Sequence, residues 1–216
     1  MKVLNDFISA IGSKEYCAAL FLDLSKAFDT VDHYVPSQRL VDIGMSPKAV
    51  KWFGNYLSGR TQSVHVDGVS SNSLFIQNGV PQESILGPIL FTIYINDLCQ
   101  NVTNVKCHFY ADDTVLYCSA PALTSAIEDL QSAFIIIQKN LQKLRLVLNS
   151  DKTKMMCFSK SRKTENACQI TTLDEKVIER VSVYKYLGFL LEENVSFKQH
   201  IEGLTTKKTS KVGFLL

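Results

Sequence analysis

The sequence predicts an α+β fold, an antiparallel sheet with helices packed on one face, and three observations lead there. Short apolar runs (Ala18 to Leu24, Val105 to Tyr110, Thr114 to Tyr117) have the length and β-favouring composition of strands. Tight polar connections join some of these runs, which gives hairpins rather than long parallel crossovers. After Pro121, apolar residues fall at 123, 127, 130, 134, 137, 141 and 144. Steps of four and three make this an amphipathic helix whose apolar stripe needs a sheet to cover.

Taken in order, residues 1–16 carry a weak helical pattern (Val3, Leu4, Phe7, Ile8, Ile11) that ends at Gly12. Ala18 to Leu24 reads as a buried strand holding one acid, Asp23. Ser25 to Asp29 turns into a helical stretch reaching about Ile43, and Asp29 and Asp32 suit helix-start capping. Ser46-Pro47 is an N-cap with proline at the first helical position, and the helix it opens stops near Ser58-Gly59. Gln62 to Asp67 and Leu74 to Gln77 form a hairpin, and the turn-rich Gly79 to Ser84 precedes a buried helix, Ile85 to Leu98. Leu146 to Leu148 and Met155 to Phe158 bracket the polar Asn149 to Lys154. Weak strands near Ile170 and Val177 precede Tyr184 to Leu191, and a last amphipathic segment begins at Phe197.

With 216 residues, 46% of them hydrophobic and 20% charged, the chain can bury one sizeable core and is not a disordered polymer. Net charge is only +2. Between Lys139 and Lys163, however, eight lysines and arginines face the single acid Asp151. That block is either a track for a phosphate backbone or a solvated helix face with a loop. The six cysteines show no CxxC pair and no zinc-ligand spacing, so reduced, structural thiols in an intracellular protein are expected. No signal pattern is present, and the longest apolar run, Ile85 to Ile95, is too short to span a bilayer, so no membrane partner is expected.

The chemistry concentrates in His108-Phe-Tyr-Ala-Asp-Asp-Thr-Val-Leu-Tyr117. A hairpin there puts Asp112 and Asp113 at its tip. Adjacent carboxylates resist ionising together unless a cation or a hydrogen-bond network compensates them, and hard oxygens suit magnesium. Asp23 ends another buried strand, where a lone carboxylate is costly unless paired or metal-bound. Three carboxylates at one sheet end would hold two divalent ions about 4 Å apart, the arrangement of two-metal phosphoryl transfer.

Five stretches in order resemble the reverse transcriptase domain of LINE-type (non-LTR) retrotransposons, particularly the jockey-like group. They are FLDLSKAFDTVDH (21–33), GVPQESILGPILFTIYINDL (79–98), YADD (110–113), LVLNSDKTKMMCF (146–158) and YKYLGFLLEENVSFKQHI (184–201). The resemblance implies a polymerase palm-type fold with a partial thumb. Residues 1–180 would form the palm with residual fingers elements, 181–195 the primer-grip segment, and 196–216 the start of a truncated thumb. It implies RNA-directed DNA polymerase activity, with an RNA template, a DNA primer and dNTPs as partners and two Mg2+ (or Mn2+) ions as cofactor. Asp23, Asp112 and Asp113 would be catalytic and metal-binding, with the Leu24 carbonyl as a further ligand. Ser25, Lys26, Ala27, Gln82 and Lys152 would meet the nucleotide, although Lys152 also suits a plain surface lysine. Phe28 would be a steric gate against a 2′-hydroxyl, or a core aromatic; Leu187 and Gly188 would lie in the primer grip.

Two departures shape the expectation. Glu83 stands where the resembling family has glycine, which puts a bulky anion beside a triphosphate. The stretch also lacks the upstream fingers motifs and the endonuclease domain expected on the full-length polyprotein, whose site of action would be the nucleus. The reading is therefore a fragment of a polymerase. The alternative is a catalytically dead, truncated remnant with at most nucleic-acid binding.

Overall fold

A computed structural model describes residues 2–81, 83–159 and 169–202. Gln82, Cys168 and most of the predicted thumb lie outside the described residues.

The chain begins with α1 (Lys2–Gly12), β1 (Tyr16–Leu22) and β2 (Leu24–Ser25), then a 3-10 turn at Ala27–Asp29. Two helices follow, α2 (Tyr34–Asp42) and α3 (Pro47–Leu57). Four short strands come next: β3 (Thr61–Gln62), β4 (His65–Val66), β5 (Val69–Ser70) and β6 (Leu74–Phe75). After α4 (Leu86–Tyr94) comes the hairpin of β7 (Lys106–Tyr110) and β8 (Asp113–Ala120), then the long α5 (Leu123–Lys143). The remaining strands are β9 (Val147–Leu148), β10 (Lys154–Phe158), β11 (Glu179–Arg180), β12 (Val183–Tyr186) and β13 (Phe189–Glu192).

The main sheet runs in the order β11-β10-β1-β8-β7. Only the short edge pair β10–β11 is parallel. Strand β1 sits in the middle because its residues are apolar on both faces, and side chains alternate between faces. Ala18, Leu20 and Leu22 meet α4 and α5 residues in one core cluster, with Leu116, Cys118, Met155 and Cys157 from the flanking strands. Cys17, Ala19 and Phe21 join Val115, Tyr117, Met156 and Phe158 in a second cluster on the opposite face.

That second face corrects the expectation that helices lie on one face only. Val3, Phe7, Ala10 and Ile11 of α1 cover it, together with Tyr186 and Leu191 of the β12–β13 hairpin. Phe7 is the anchor, stacked on Phe158 at 4.3 Å and edge-on to Tyr117 at 5.3 Å. The weak helical pattern at the start of the chain had suggested no such load.

The α5 periodicity is realised in full, with Leu123, Ile127, Leu130, Phe134, Ile137 and Leu141 all buried. Ser46 caps α3 as expected, its side chain accepting from the Ala49 N–H at 3.3 Å. Asp32 lies one residue before the α2 N-cap position, His33, and its carboxylate accepts from the Tyr34 N–H at 2.9 Å.

Three further expectations change. The helix placed at Ile85 to Leu98 stops at Tyr94, and turns follow. The single hairpin placed between Gln62 and Gln77 is two nested pairs, β3 with β6 and β4 with β5. Cys99 and Cys107 are joined in a disulfide, where reduced thiols were expected. Their seven-residue spacing matches no sequence signature, and only the fold of the 95–105 turn brings the two together. Cys17, Cys118 and Cys157 are buried in the core, as expected of structural thiols.

No helix among the described residues is long and apolar enough to cross a membrane. The basic block also resolves in part. Arg145 pairs with Asp32 at 3.0 Å and Lys154 with Glu179 at 2.6 Å, so those cations serve the fold.

Candidate active site

The antiparallel register of β1 and β8 pairs Leu22 with Thr114. Asp23 follows Leu22 and Asp113 precedes Thr114, so the two acids leave the sheet at the same end. Tyr110 pairs with Asp113, leaving Ala111 and Asp112 as a two-residue loop. Ala111 has φ +54°, the left-handed value that a tight hairpin requires of its first loop residue. A strained non-glycine residue thus presents the two aspartates side by side.

The Asp113 carboxyl is raised above the usual carboxylate range, first by partial burial, then by the charge of Asp112 and then by that of Asp23. All three acids therefore share one electrostatic site, although Asp113 as a residue is exposed and water screens part of the repulsion. Hard carboxylate oxygens are the right donors for magnesium or manganese. Among the described residues, however, no group of three His, Cys, Asp or Glu side chains is drawn together tightly enough to hold an ion as it stands.

The sign of this coupling gives a prediction. A carboxyl whose folded-state pKa is raised contributes stability below its unfolded pKa and loses it as pH rises through the folded value. Asp113→Asn is expected to raise Tm at pH 7. The gain should vanish once acid protonates Asp113 in the parent. Thermal melts between pH 3 and 8 check this; an equal Tm at every pH would contradict it.

The main chain of Asp23 is held on both sides. Its N–H donates to the Thr153 hydroxyl at 3.2 Å, and its carbonyl accepts from the Asn149 N–H at 2.8 Å. Thr153 is fully buried, and its hydroxyl donates to the Asn149 carbonyl at 2.8 Å. Strand β2 continues the clamp by pairing Leu24 with Leu148 of β9. Sequence reasoning missed Asn149 and Thr153; the sole signal was a turn-forming asparagine just before a strand. Thr153→Val keeps the shape but removes the acceptor. It is expected to cost about 1–3 kcal/mol in urea denaturation, with Thr153→Ser largely restored.

Beside the tip lies a cleft of about 400 Å³ lined by Leu24, Lys26, Ala27, Phe28, Glu83 and Asp112, with Pro81 and Pro88. Lys26, Ala27 and Phe28, expected at the nucleotide, and Leu24, expected as a metal ligand, therefore share a wall with one expected catalytic acid. Lys26 is exposed and left-handed at φ +49°, and its carbonyl accepts from Asp29 and Thr30 to form the 3-10 turn. Phe28 lines the cleft and also packs on Phe91, centroids 4.7 Å apart, so it is in part a core aromatic. Ser25 is not among the lining residues; it lies in β2. Lys152 is exposed on the turn that clamps Asp23 and does not line the cleft either.

The opposite wall is the loop from Gly79 to Ser84. Val80 N–H donates to the Phe28 carbonyl at 2.8 Å, and His33 bonds the Gly79 carbonyl at 2.7 Å. A Cβ on Gly79 would meet the Asp29 carbonyl at 2.9 Å, and its φ is +91°, so glycine is required for the loop to dock. Ser84 holds the far end, donating to the Pro81 carbonyl at 2.8 Å and accepting from the Gly87 N–H at 2.9 Å. Between these anchors Glu83 sits at φ +59°. It occupies a left-handed position that glycine would take without strain.

The β12–β13 hairpin closes the other side. Phe21 stacks on Tyr184 at 4.3 Å, and His108 Nδ1 lies 3.2 Å from the Tyr186 hydroxyl. Burial, then Asp113, pushes Tyr186 up to about 12. Leu187 and Gly188, at φ +46° and +85°, are its two-residue turn, so this glycine makes the chain reversal.

With this geometry in place, comparison with known proteins decides the family. Residues 4–191 match the model of the reverse transcriptase (RNA-dependent DNA polymerase) family. The chain belongs to that family. It is 30% identical over 210 residues to the RNA-directed DNA polymerase from mobile element jockey of Drosophila funebris, covering 94% of this chain and 22% of that protein. It is 28% identical to the probable RNA-directed DNA polymerase from transposon X-element of Drosophila melanogaster, covering 98% and 23%. The chain thus spans about a fifth of the length of these curated relatives. The structure of apo telomerase from Candida tropicalis, truncated from its C-terminal domain, superposes with a TM-score of 0.55 at 12% identity, covering 88% of this chain and 37% of that one. At that identity the likeness speaks for the polymerase palm-type fold alone.

Proposed function

We propose that this reverse transcriptase domain is the palm-containing part of a non-LTR retrotransposon polymerase that adds dNTPs to a DNA primer on an RNA template. One observation carries this reading: Asp23 and the Asp112-Asp113 tip leave adjacent antiparallel strands at the same end, beside a cleft walled by Lys26, Ala27 and Phe28. Asp23, Asp112 and Asp113 would hold two divalent cations, with the Leu24 carbonyl as a further oxygen. Such ions supply charge neutralisation for the triphosphate and a lower pKa for the primer 3′-hydroxyl. Lys26 and the backbone of Ser25 to Ala27 would position the triphosphate, Gln82 and Lys152 would support it, and Phe28 would crowd a 2′-hydroxyl. Leu187 and Gly188 would guide the primer end from the hairpin that leans on Asp113. In the whole element an endonuclease domain would accompany this one, and the work would be done in the nucleus.

A second reading, an inactive remnant, is favoured by Glu83, which places a bulky anion in the cleft wall. Primer extension on a homopolymeric RNA template with Mg2+ or Mn2+ separates the two. Incorporation lost on Asp112→Asn supports the polymerase. Incorporation that persists after it overturns the site. None from the parent or from Glu83→Gly leaves the remnant.

A further inference from the structure

We infer that the outer face of α3 is a stacking platform for single-stranded RNA leading to the cleft, a surface that rests on the polymerase reading and extends it. Helix α3 buries only Leu57 fully, so most of its surface is uncovered. Lys48, Trp52 and Tyr56 follow one another at i, i+4 and i+8, which puts them in one row along the helix. Trp52 is 54% exposed, and its ring lies nearly parallel to that of Tyr56, 9° apart with centroids at 5.8 Å. Phe53 supports Trp52 edge-on at 5.1 Å. Tyr56 packs against the main core while Trp52 stands outside it, so the aromatic stack runs from the core into solvent.

Helix α3 itself carries two lysines, Lys48 and Lys51, and no acid. From residue 43 to residue 66 the chain carries Lys48, Lys51 and Arg60 and no acid. None of these three cations forms an ion pair among the described residues, in contrast to Arg145 and Lys154 of the basic block. Arg60, just past the end of α3, lines a groove of about 580 Å³ with Asp29, Gly79 and Pro81. Pro81 also lines the nucleotide cleft, so the groove and the cleft are neighbours. Cations flanking an exposed aromatic stack are what a single strand needs: phosphates meet the lysines, and a base has a ring to lie on. A protein partner would cover the neighbouring apolar Val41 and Ile43 equally well, but it would give no role to an acid-free run of cations.

Trp52 is the single tryptophan of the chain, which makes the test direct. The full chain is titrated with a fluorescently end-labelled 12-nucleotide RNA, reading anisotropy of the label and emission of Trp52 in parallel. Saturable quenching that tracks the anisotropy is expected. Trp52→Ala should weaken binding by about fivefold or more by anisotropy. Lys48→Glu with Lys51→Glu should weaken it further and flatten the log–log salt slope by about 1.4. Both sets of side chains are on the helix surface, and an unchanged thermal melt confirms that folding is intact. Anisotropy that rises while Trp52 emission stays flat, or a salt slope indifferent to the lysines, overturns the platform and leaves the polymerase reading standing. Trp52 emission that changes with protein concentration alone also overturns it, since a second copy of the chain then occupies the face. No RNA binding at all defeats both readings.

Discussion

Replacing Glu83 with glycine is expected to raise primer extension by at least tenfold. Two effects act at this position, and they separate experimentally. The first is charge: Glu83 lines the same cleft as Lys26 and Asp112, where the triphosphate of the proposed substrate would bring several negative charges. Two unit charges 4 Å apart repel by about 4 kcal/mol at the effective dielectric of a protein surface, and each 1.4 kcal/mol is a factor of ten. The second is backbone: φ +59° costs an L-residue about 1–2 kcal/mol that glycine avoids. Ser84 and Gly79 anchor the loop on either side, so the strain cannot relax by moving the whole segment. Glu83→Gln removes the charge while keeping the bulk and the strain, and should recover part of the gain. An increase of less than about threefold for Glu83→Gly would defeat this account of the loop.

Asp112→Asn, made in the Glu83→Gly background, is expected to lower incorporation by a factor of about 10²–10³ or more. Stability should not fall, and should rise slightly at pH 7, because Asp112 is exposed in a hairpin loop where asparagine is well tolerated and its charge no longer opposes that of Asp113. That pairing of outcomes distinguishes it from a folding defect. Steady-state incorporation with melts recorded on the same preparations provides the comparison, and a loss of activity matched by a large drop in Tm would point to unfolding instead.

Much of the fold was legible because its strongest signals are local. The period of α5 and the two-sided apolarity of β1 needed no partner to be read, and neither did the apolar flanks of Asp112 and Asp113. The tip was legible for the same reason: a hairpin is fixed by its own loop. What was missed depends on long-range closure. Thr153 reaches Asp23 across 130 residues, and nothing in its neighbours announces that contact. The role of α1 on the second face was hidden because the helix is short: four residues over three turns, Val3, Phe7, Ala10 and Ile11, do the covering. The Cys99–Cys107 pairing depends on an irregular turn whose path no periodicity encodes. The reversal at Leu187-Gly188 was hidden as well, since a Leu-Gly pair does not look like a hairpin turn until both strands are in register. The Glu83 position stands between these cases: the neighbouring glycines and prolines marked a constrained loop, and the structure added the sign of its φ.

The claim on which the rest depends is that Asp23, Asp112 and Asp113, from two separate strands, form one divalent-cation site. Titration with Mn2+ followed by electron paramagnetic resonance measures this without requiring the chain to be active. Saturable binding in the parent, lost in both Asp23→Asn and Asp112→Asn, is the predicted result. Binding that is absent from the parent, or that survives both substitutions unchanged, would contradict it.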